Sequence, residues 1–449
     1  MSFQDWWGLR VGRGLATGVH KYDGRGGLEG HRFHLRVDSE RKGVLLVDAS
    51  SIIFLNGTAV DLVRCVLEGW NEKDAVRYMT IRWKNLGKDR AAQDVRKVRQ
   101  ELEGFLRGDP DVLETIGSDR PTLGTDDLPA PYRLDLALTY RCQNRCLHCY
   151  NEPRQMKELS KEQWKEVIAI SWKLGVPHVV FTGGEPTLYE GLEELVSRSE
   201  EFGQVTGLVT NGRRLGTPGY LRSLIAKGLD HVQITVLSHQ AEVHDDLVGE
   251  KGAWQETVAG LKVALAEDLY VSTNTTILRA NVTDIISTLN YLADLGVRNV
   301  AFNTIIRSGK GREAEGITYE ELAAIMTELK RAAEERGVEL IWYTPTPYCE
   351  FNPINMGLGI KQCTACALNM AVEPDGTVLP CQSYYVPLGN ILTDPWEKIW
   401  ENDLCKRIRS RDYLDGKCVD CGLKDTCGGG CPLSREHGDY ICLDSQSSM

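Results

Sequence analysis

The run Arg141-Cys-Gln-Asn-Arg-Cys-Leu-His-Cys-Tyr150 gathers three cysteines, Cys142, Cys146 and Cys149, into one short stretch. Thiolates are the usual ligands of [4Fe–4S] clusters, and a closed electron-transfer cluster takes four of them. Three thiolates leave one iron with an open position, where a substrate or cosubstrate can bind. Short cysteine groups also bind zinc, so the triplet has to be read together with the rest of the chain.

After the apolar run His178-Val-Val-Phe181 comes Thr182-Gly-Gly-Glu-Pro186. Two glycines let a backbone approach a ligand closely, and the Glu185 carboxylate suits an ammonium. Alone, the pentapeptide reads as a strand-to-helix turn. Behind a cluster motif and one helical stretch, it reads as a ligand loop.

The triplet with Tyr150, followed by Gly183, Gly184, Glu185 and Pro186, resembles the signatures of the radical S-adenosylmethionine (SAM) superfamily. That resemblance implies that the amino and carboxylate groups of SAM chelate the fourth iron, and that the Gly183–Pro186 loop holds the ammonium. It also points to Asn211, Ser238, Asn274 and Arg307 as further SAM contacts, each at or near the end of a later strand. Each has a plainer reading: Asn211-Gly212 is an ordinary turn, and Arg307 a surface charge. His239 and His244 are not assigned as bases.

Residues 132–340 alternate apolar runs with amphipathic stretches, as a parallel sheet with crossover helices does. Leu134–Leu138, Val179–Phe181, Leu208–Val209, Val232–Leu237, Val271–Ile277 and Val300–Ile306 read as strands. Ser160-Lys-Glu-Gln163 and Thr318-Tyr-Glu-Glu321 have capping-box form, and Gly175, Gly228, Gly296 and Gly337 sit where helices should stop. The fold class expected is α/β, a partial (β/α)6 barrel. Chemistry in parallel barrels collects at the carboxyl ends of the strands, and both motifs fall there.

Of the fourteen cysteines, ten follow residue 348. Cys366, Gly376 and Cys381, then Cys418-x-x-Cys421, Cys427, Cys431 and Cys442, resemble the SPASM extension of peptide-modifying radical SAM enzymes. The likeness implies one auxiliary cluster on Cys418, Cys421, Cys427 and Cys442. It implies another on Cys366, Cys381 and Cys431 with one upstream cysteine, Cys363 or alternatively Cys349. Three [4Fe–4S] clusters and SAM are therefore the expected cofactors, residues 341–449 forming the auxiliary-cluster domain. A zinc ribbon is the rival reading of this segment. Cys65 and Cys405 stand alone in helical contexts, and Cys65 reads as a small core hydrophobe.

Residues 1–108 carry no chemical motif. Phe33–Val37, Val44–Val47 and Ile52–Leu55 read as three β segments, followed by helices Ala59–Glu68, Lys73–Met79 and Ala91–Leu106. Three strands and three helices, with Leu55-Asn56-Gly57-Thr58-Ala59 at the junction, resemble the winged-helix-like peptide-recognition domain typified by the peptide chaperone of pyrroloquinoline quinone synthesis. In that family a leader peptide adds as a strand at the sheet's edge, a sound way to hold an extended chain. A domain used only for packing or dimerisation is the plainer alternative. Residues 109–131, rich in Asp, Pro, Gly and Thr, read as a linker.

A net charge of -11 argues against broad binding to nucleic acid or anionic membrane. No apolar stretch of transmembrane length and no signal-peptide pattern is found, so a cytoplasmic protein is expected. The resemblances together imply a radical SAM enzyme that takes hydrogen from a ribosomally made precursor peptide, bound through its leader and served by an electron donor such as flavodoxin or ferredoxin. A thioether or carbon–carbon cross-link is the expected product. Epimerisation, SAM-derived carbon insertion, a small-molecule substrate such as a tetrapyrrole, and a non-enzymatic iron–sulfur scaffold are the alternatives.

Overall fold

The structure, a computed structural model, describes residues 13–38, 40–47, 51–107, 129–152 and 154–438. The chain divides into two compact units, residues 1–121 with 172–177, and residues 122–171 with 178–449. Cys442 and most of the linker lie outside the described residues.

The first unit holds an antiparallel sheet in the order β1 (Gly18–Asp23), β2 (Arg32–Val37), β3 (Gly43–Val47), β4 (Ser51–Leu55). The apolar pattern predicts only three strands. The additional one, Gly-Val-His-Lys-Tyr-Asp, lacks that pattern because its residues are only partly buried, and pairing with β2 rather than a buried face defines it. Helices α1 (Gly57–Leu67), α2 (Glu72–Arg82) and α3 (Lys88–Leu106) follow. Asn56 starts α1 by accepting from the Ala59 N–H at 2.9 Å. Phe33, Leu35, Leu45, Val63, Met79 and Leu102 meet in the core with Cys65, which is buried as a small hydrophobe. The buried Asp61 carboxylate is balanced by Tyr78 Oη (2.6 Å), Arg82 Nε (2.7 Å) and Trp83 Nε1 (3.1 Å), as an internal charge requires.

The second unit is built on a ten-stranded sheet. Strands β5 (Arg133–Thr139), β6 (His178–Gly183), β7 (Val205–Thr210), β8 (His231–Thr235), β9 (Tyr270–Thr276), β10 (Asn299–Asn303) and β11 (Glu339–Trp342) are parallel neighbours in chain order. The expected strands are all present; β11 is one more, too short and too polar at Glu339 to register as an apolar run. Their crossovers carry α4 (Lys161–Lys173), α5 (Leu192–Phe202), α6 (Tyr220–Ala226), α7 (Ala241–Val248), α8 (Ala253–Leu265), α9 (Ile285–Asp294) and α10 (Tyr319–Arg336). The Thr318–Glu321 capping box starts α10, and Gly337 ends it with φ of 63°, a conformation that favours glycine.

On the other side of β5, strand β12 (Asn369–Val372) pairs in parallel, and β13 (Thr377–Leu379) and β14 (Gly389–Asn390) continue antiparallel. The cysteine-rich segment thus extends the same sheet. Short helices α11 (Trp396–Trp400) and α12 (Asp403–Ser410) follow. One cross-strand feature depends on a missing side chain. A Cβ on Gly207 of β7 would lie 2.2 Å from the His231 ring, and its absence lets His231 on β8 reach His178 on β6, Nε2 to Nε2, at 2.8 Å. Among the described residues no helix is long and apolar enough to cross a membrane.

Candidate active site

The Cys142–Cys149 loop leaves the carboxyl end of β5 and the Gly183–Pro186 loop leaves that of β6, so neighbouring strands deliver both motifs to one rim. Hydrogen bonds then join them. Gly184 N–H donates to the Thr139 carbonyl at 2.7 Å and Glu185 N–H to the Arg141 carbonyl at 2.9 Å. Both glycines are needed for this approach: a Cβ on Gly183 would stand 2.2 Å from Thr139 O, and one on Gly184 would stand 2.5 Å from Arg141 O. Gly183 also has φ of 134°, which strains other residues.

Glu185 is fully buried. Its Oε1 accepts from Thr187 N (3.1 Å), Thr187 Oγ1 (2.7 Å) and Thr210 Oγ1 (2.7 Å), and its Oε2 from Asn211 N at 2.8 Å. Burial raises its pKa against these donors. A carboxylate offers about four acceptor positions, so the single partner of Oε2 leaves that oxygen one position for a ligand. Pro186 opens a short 3-10 turn to Leu188 that Glu185 caps.

The remaining expected contacts divide. Asn211 lies beside the triplet, its Nδ2 3.9 Å from Cys142 Sγ. Asn274, on β9, has a buried Oδ1 with no hydrogen-bond partner among the described residues, an acceptor or flip-related donor position suited to a ligand. Ser238 is engaged locally, its hydroxyl accepting from Gln240 N at 3.0 Å. Arg307 braces its own loop through the carbonyls of Gly311 (3.2 Å) and Ala314 (3.0 Å).

Other elements fix the cysteine loop without any signature in the sequence. Arg145 and Leu147 donate to the carbonyls of Val248 and Leu247 at the end of α7, at 2.8 and 2.9 Å. Lys310 N–H donates to the Cys149 carbonyl at 2.9 Å, and a Cβ on Gly309 would come within 2.6 Å of that oxygen. The three thiols lie within electrostatic range of one another, and burial with these neighbours pushes Cys146 up to about 12. Bare thiolates are costly there, whereas thiolates shared with iron are not. A backbone N–H, that of Asn144, already points at Cys142 Sγ at 3.4 Å. The donor types suit a three-thiolate cluster, while among the described residues no three His, Cys, Asp or Glu side chains are already gathered closely enough to hold a metal ion.

In the carboxyl-terminal segment burial raises the pKa of Cys363, Cys381 and Cys431, and the charges of Cys431 and Cys381 add to the rise at Cys363. Cys427 accepts from Tyr348 N at 3.2 Å and Cys421 from Leu423 N at 3.4 Å, while Arg435 Nη1 is 3.7 Å from Cys418 Sγ. Cys349 is exposed. One placement departs from expectation: Cys366 is disulfide-bonded to Cys405 of α12. Cys405 is therefore not solitary, and this pairing competes with the expected role of Cys366 as an iron ligand. Sequence spacing hides this pair because 39 residues separate its members.

Residues 136–292 match the Radical SAM superfamily, and residues 363–422 match SPASM, an iron–sulfur cluster-binding domain. The chain thus carries a Radical SAM superfamily domain and a SPASM domain, and it is an enzyme. The SPASM match supports bound iron–sulfur clusters, and the Radical SAM match supports a [4Fe–4S] cluster with SAM. Among curated relatives, the chain is 28% identical over 315 residues to PqqA peptide cyclase of Rhizobium meliloti, covering 67% of the chain and 82% of that protein. It is 27% identical over 333 residues to AdoMet-dependent heme synthase of Methanosarcina barkeri, covering 70% and 95%. Among solved structures, Streptococcus suis SuiB bound to precursor peptide SuiA matches with a TM-score of 0.66 at 15% identity, over 89% of this chain and 94% of that one. SuiB bound to S-adenosylmethionine matches at 0.63 and 16%, over 96% and 99%.

Proposed function

We propose that this radical SAM enzyme matures a ribosomally made precursor peptide, forming a thioether or a carbon–carbon cross-link. The observation that carries this reading is the reach of the SuiB likeness. At 89% of the chain it exceeds what residues 122–449 supply, so it runs into the first unit. The heme synthase similarity, at 70%, does not need that unit. A small-molecule enzyme has no evident use for this four-stranded sheet, an architecture to which an extended peptide can add as a strand. In this reading the first unit is a peptide-recognition domain that binds the leader.

When reduced by one electron, the SAM-bound cluster supplies a 5′-deoxyadenosyl radical that removes a hydrogen atom from the substrate. Cys142, Cys146 and Cys149 hold that cluster, Glu185 and the Gly183–Pro186 backbone orient the SAM ammonium, and Asn211, Ser238, Asn274 and Arg307 are further SAM contacts. Cys366, Cys381 and Cys431, with Cys363 or alternatively Cys349, hold a second cluster. Cys418, Cys421, Cys427 and Cys442 hold a third. The two auxiliary sites give the electron left by oxidative bond formation somewhere to go, and an external donor such as flavodoxin or ferredoxin supplies the reducing one.

The test is anaerobic co-expression with short peptides encoded beside the gene, followed by intact mass measurement. A loss of two hydrogens that depends on Cys149 supports cross-linking. Unchanged mass with solvent deuterium uptake means epimerisation, and added carbon means insertion. Bound peptides with none of these changes would turn the reading towards a tetrapyrrole or other small molecule.

A further inference from the structure

A chain of hydrogen bonds links the SAM-holding loop to the segment after Cys381 through residues that belong to neither motif. Tyr385 Oη donates to Asn151 Oδ1 at 3.0 Å, and Asn151 Nδ2 donates to the Gly183 carbonyl at 2.8 Å. Tyr385 is itself held. The Arg154 guanidinium lies 4.6 Å from its ring centroid and donates to its carbonyl at 3.2 Å. Arg154 is held in turn by Glu373, at 3.2 and 3.3 Å, a buried carboxylate on the turn after β12 that also accepts from Tyr140 Oη at 3.1 Å.

Glycine has no side chain to restrict its torsions, so an outside donor has unusual control over where a glycine carbonyl points. Asn151 is that donor for Gly183. Tyr385 orients the Asn151 amide by occupying its oxygen, which leaves the nitrogen directed at Gly183. We propose that Asn151 and Tyr385 are positioning residues through which the auxiliary-cluster segment sets the seat of SAM. This rests on the reading of Gly183–Pro186 as the SAM loop.

The experiment uses the full chain with its clusters loaded, SAM as the probe, and two readouts: equilibrium SAM affinity, and the change in the electron paramagnetic resonance line shape of the reduced protein when SAM is added. Tyr385→Phe keeps the ring over Arg154 and removes only the hydroxyl. It should keep the wild-type iron content and bind SAM about fivefold more weakly, the effect of one net hydrogen bond. Asn151→Ala should weaken binding about tenfold and alter the SAM-induced line shape. The double variant should bind no more weakly than Asn151→Ala, because Tyr385 acts through Asn151.

Wild-type affinity in either variant overturns the coupling, as does a double variant whose losses multiply. If Tyr385→Phe fails to load iron, Asn151→Ala decides by the same two readouts. A wild-type protein that neither binds SAM nor changes line shape would reject the SAM loop itself, and the coupling with it.

Discussion

Glu185 N–H donates to the Arg141 carbonyl at 2.9 Å, so the loop read as the seat of SAM hangs from the residue that precedes Cys142. The ligand loop and the cluster loop are one backbone construction. A change that parts them should disturb both SAM and iron.

Gly184→Ala makes that change, because its Cβ would meet Arg141 O at 2.5 Å and Tyr140 O at 2.6 Å. Overpacking of this kind costs about 1–3 kcal/mol. SAM affinity should fall about tenfold or more and the iron content of the SAM cluster should drop; unchanged affinity would show that the loops are not held together in this way.

Replacing Cys142, Cys146 and Cys149 together by Ala should abolish SAM cleavage and leave about eight of about twelve irons, two [4Fe–4S] clusters. Iron analysis with Mössbauer spectroscopy checks this. Loss of all the iron would contradict separate sites.

Cys366 is a proposed ligand of the first auxiliary cluster and is also bonded to Cys405. Cys366→Ala should remove about four irons, whereas Cys405→Ala should leave the iron content unchanged. If Cys366→Ala leaves the iron content unchanged, Cys366 is paired with Cys405 in the loaded protein and is not a ligand.

His231 is held down to about 3, by burial first and by the Arg133 charge second. The unfolded chain has the ordinary value of about 6.5, so between these values the unfolded state binds more protons. Stability contributed by neutral His231 is therefore complete above about pH 6.5 and is lost as the pH falls towards about 3. Between about pH 7.5 and about pH 5.0 the wild type should lose about 2 kcal/mol more than His231→Gln in paired denaturant unfolding curves. Equal losses would mean that His231 is not held neutral in the folded protein.

Much of this is legible in the sequence, and for identifiable reasons. The six core strands are apolar runs, and the cysteine and Gly-Gly-Glu-Pro motifs lie at fixed positions after them, so fold and rim can be read locally. Strands β1 and β11 are not legible, because each is defined by its neighbour more than by its own side chains. Asn151, Tyr385, Gly309 and Lys310 are hidden for another reason: they act on distant segments through backbone carbonyls or through one another, and no spacing rule encodes such contacts. Position along a strand singles out Arg307 and Ser238, while the bonds of Arg307 to Gly311 and Ala314 and of Ser238 to Gln240 and Asp284 have no signature in the sequence.

The decisive experiment follows the hydrogen atom. Reduced enzyme is incubated with SAM and a uniformly deuterated precursor peptide, and the 5′-deoxyadenosine formed is weighed by mass spectrometry. Peptide-dependent 5′-deoxyadenosine carrying one deuterium is the expected result. Unlabelled 5′-deoxyadenosine, formed at the same rate with bound peptide as without it, would contradict a peptide substrate.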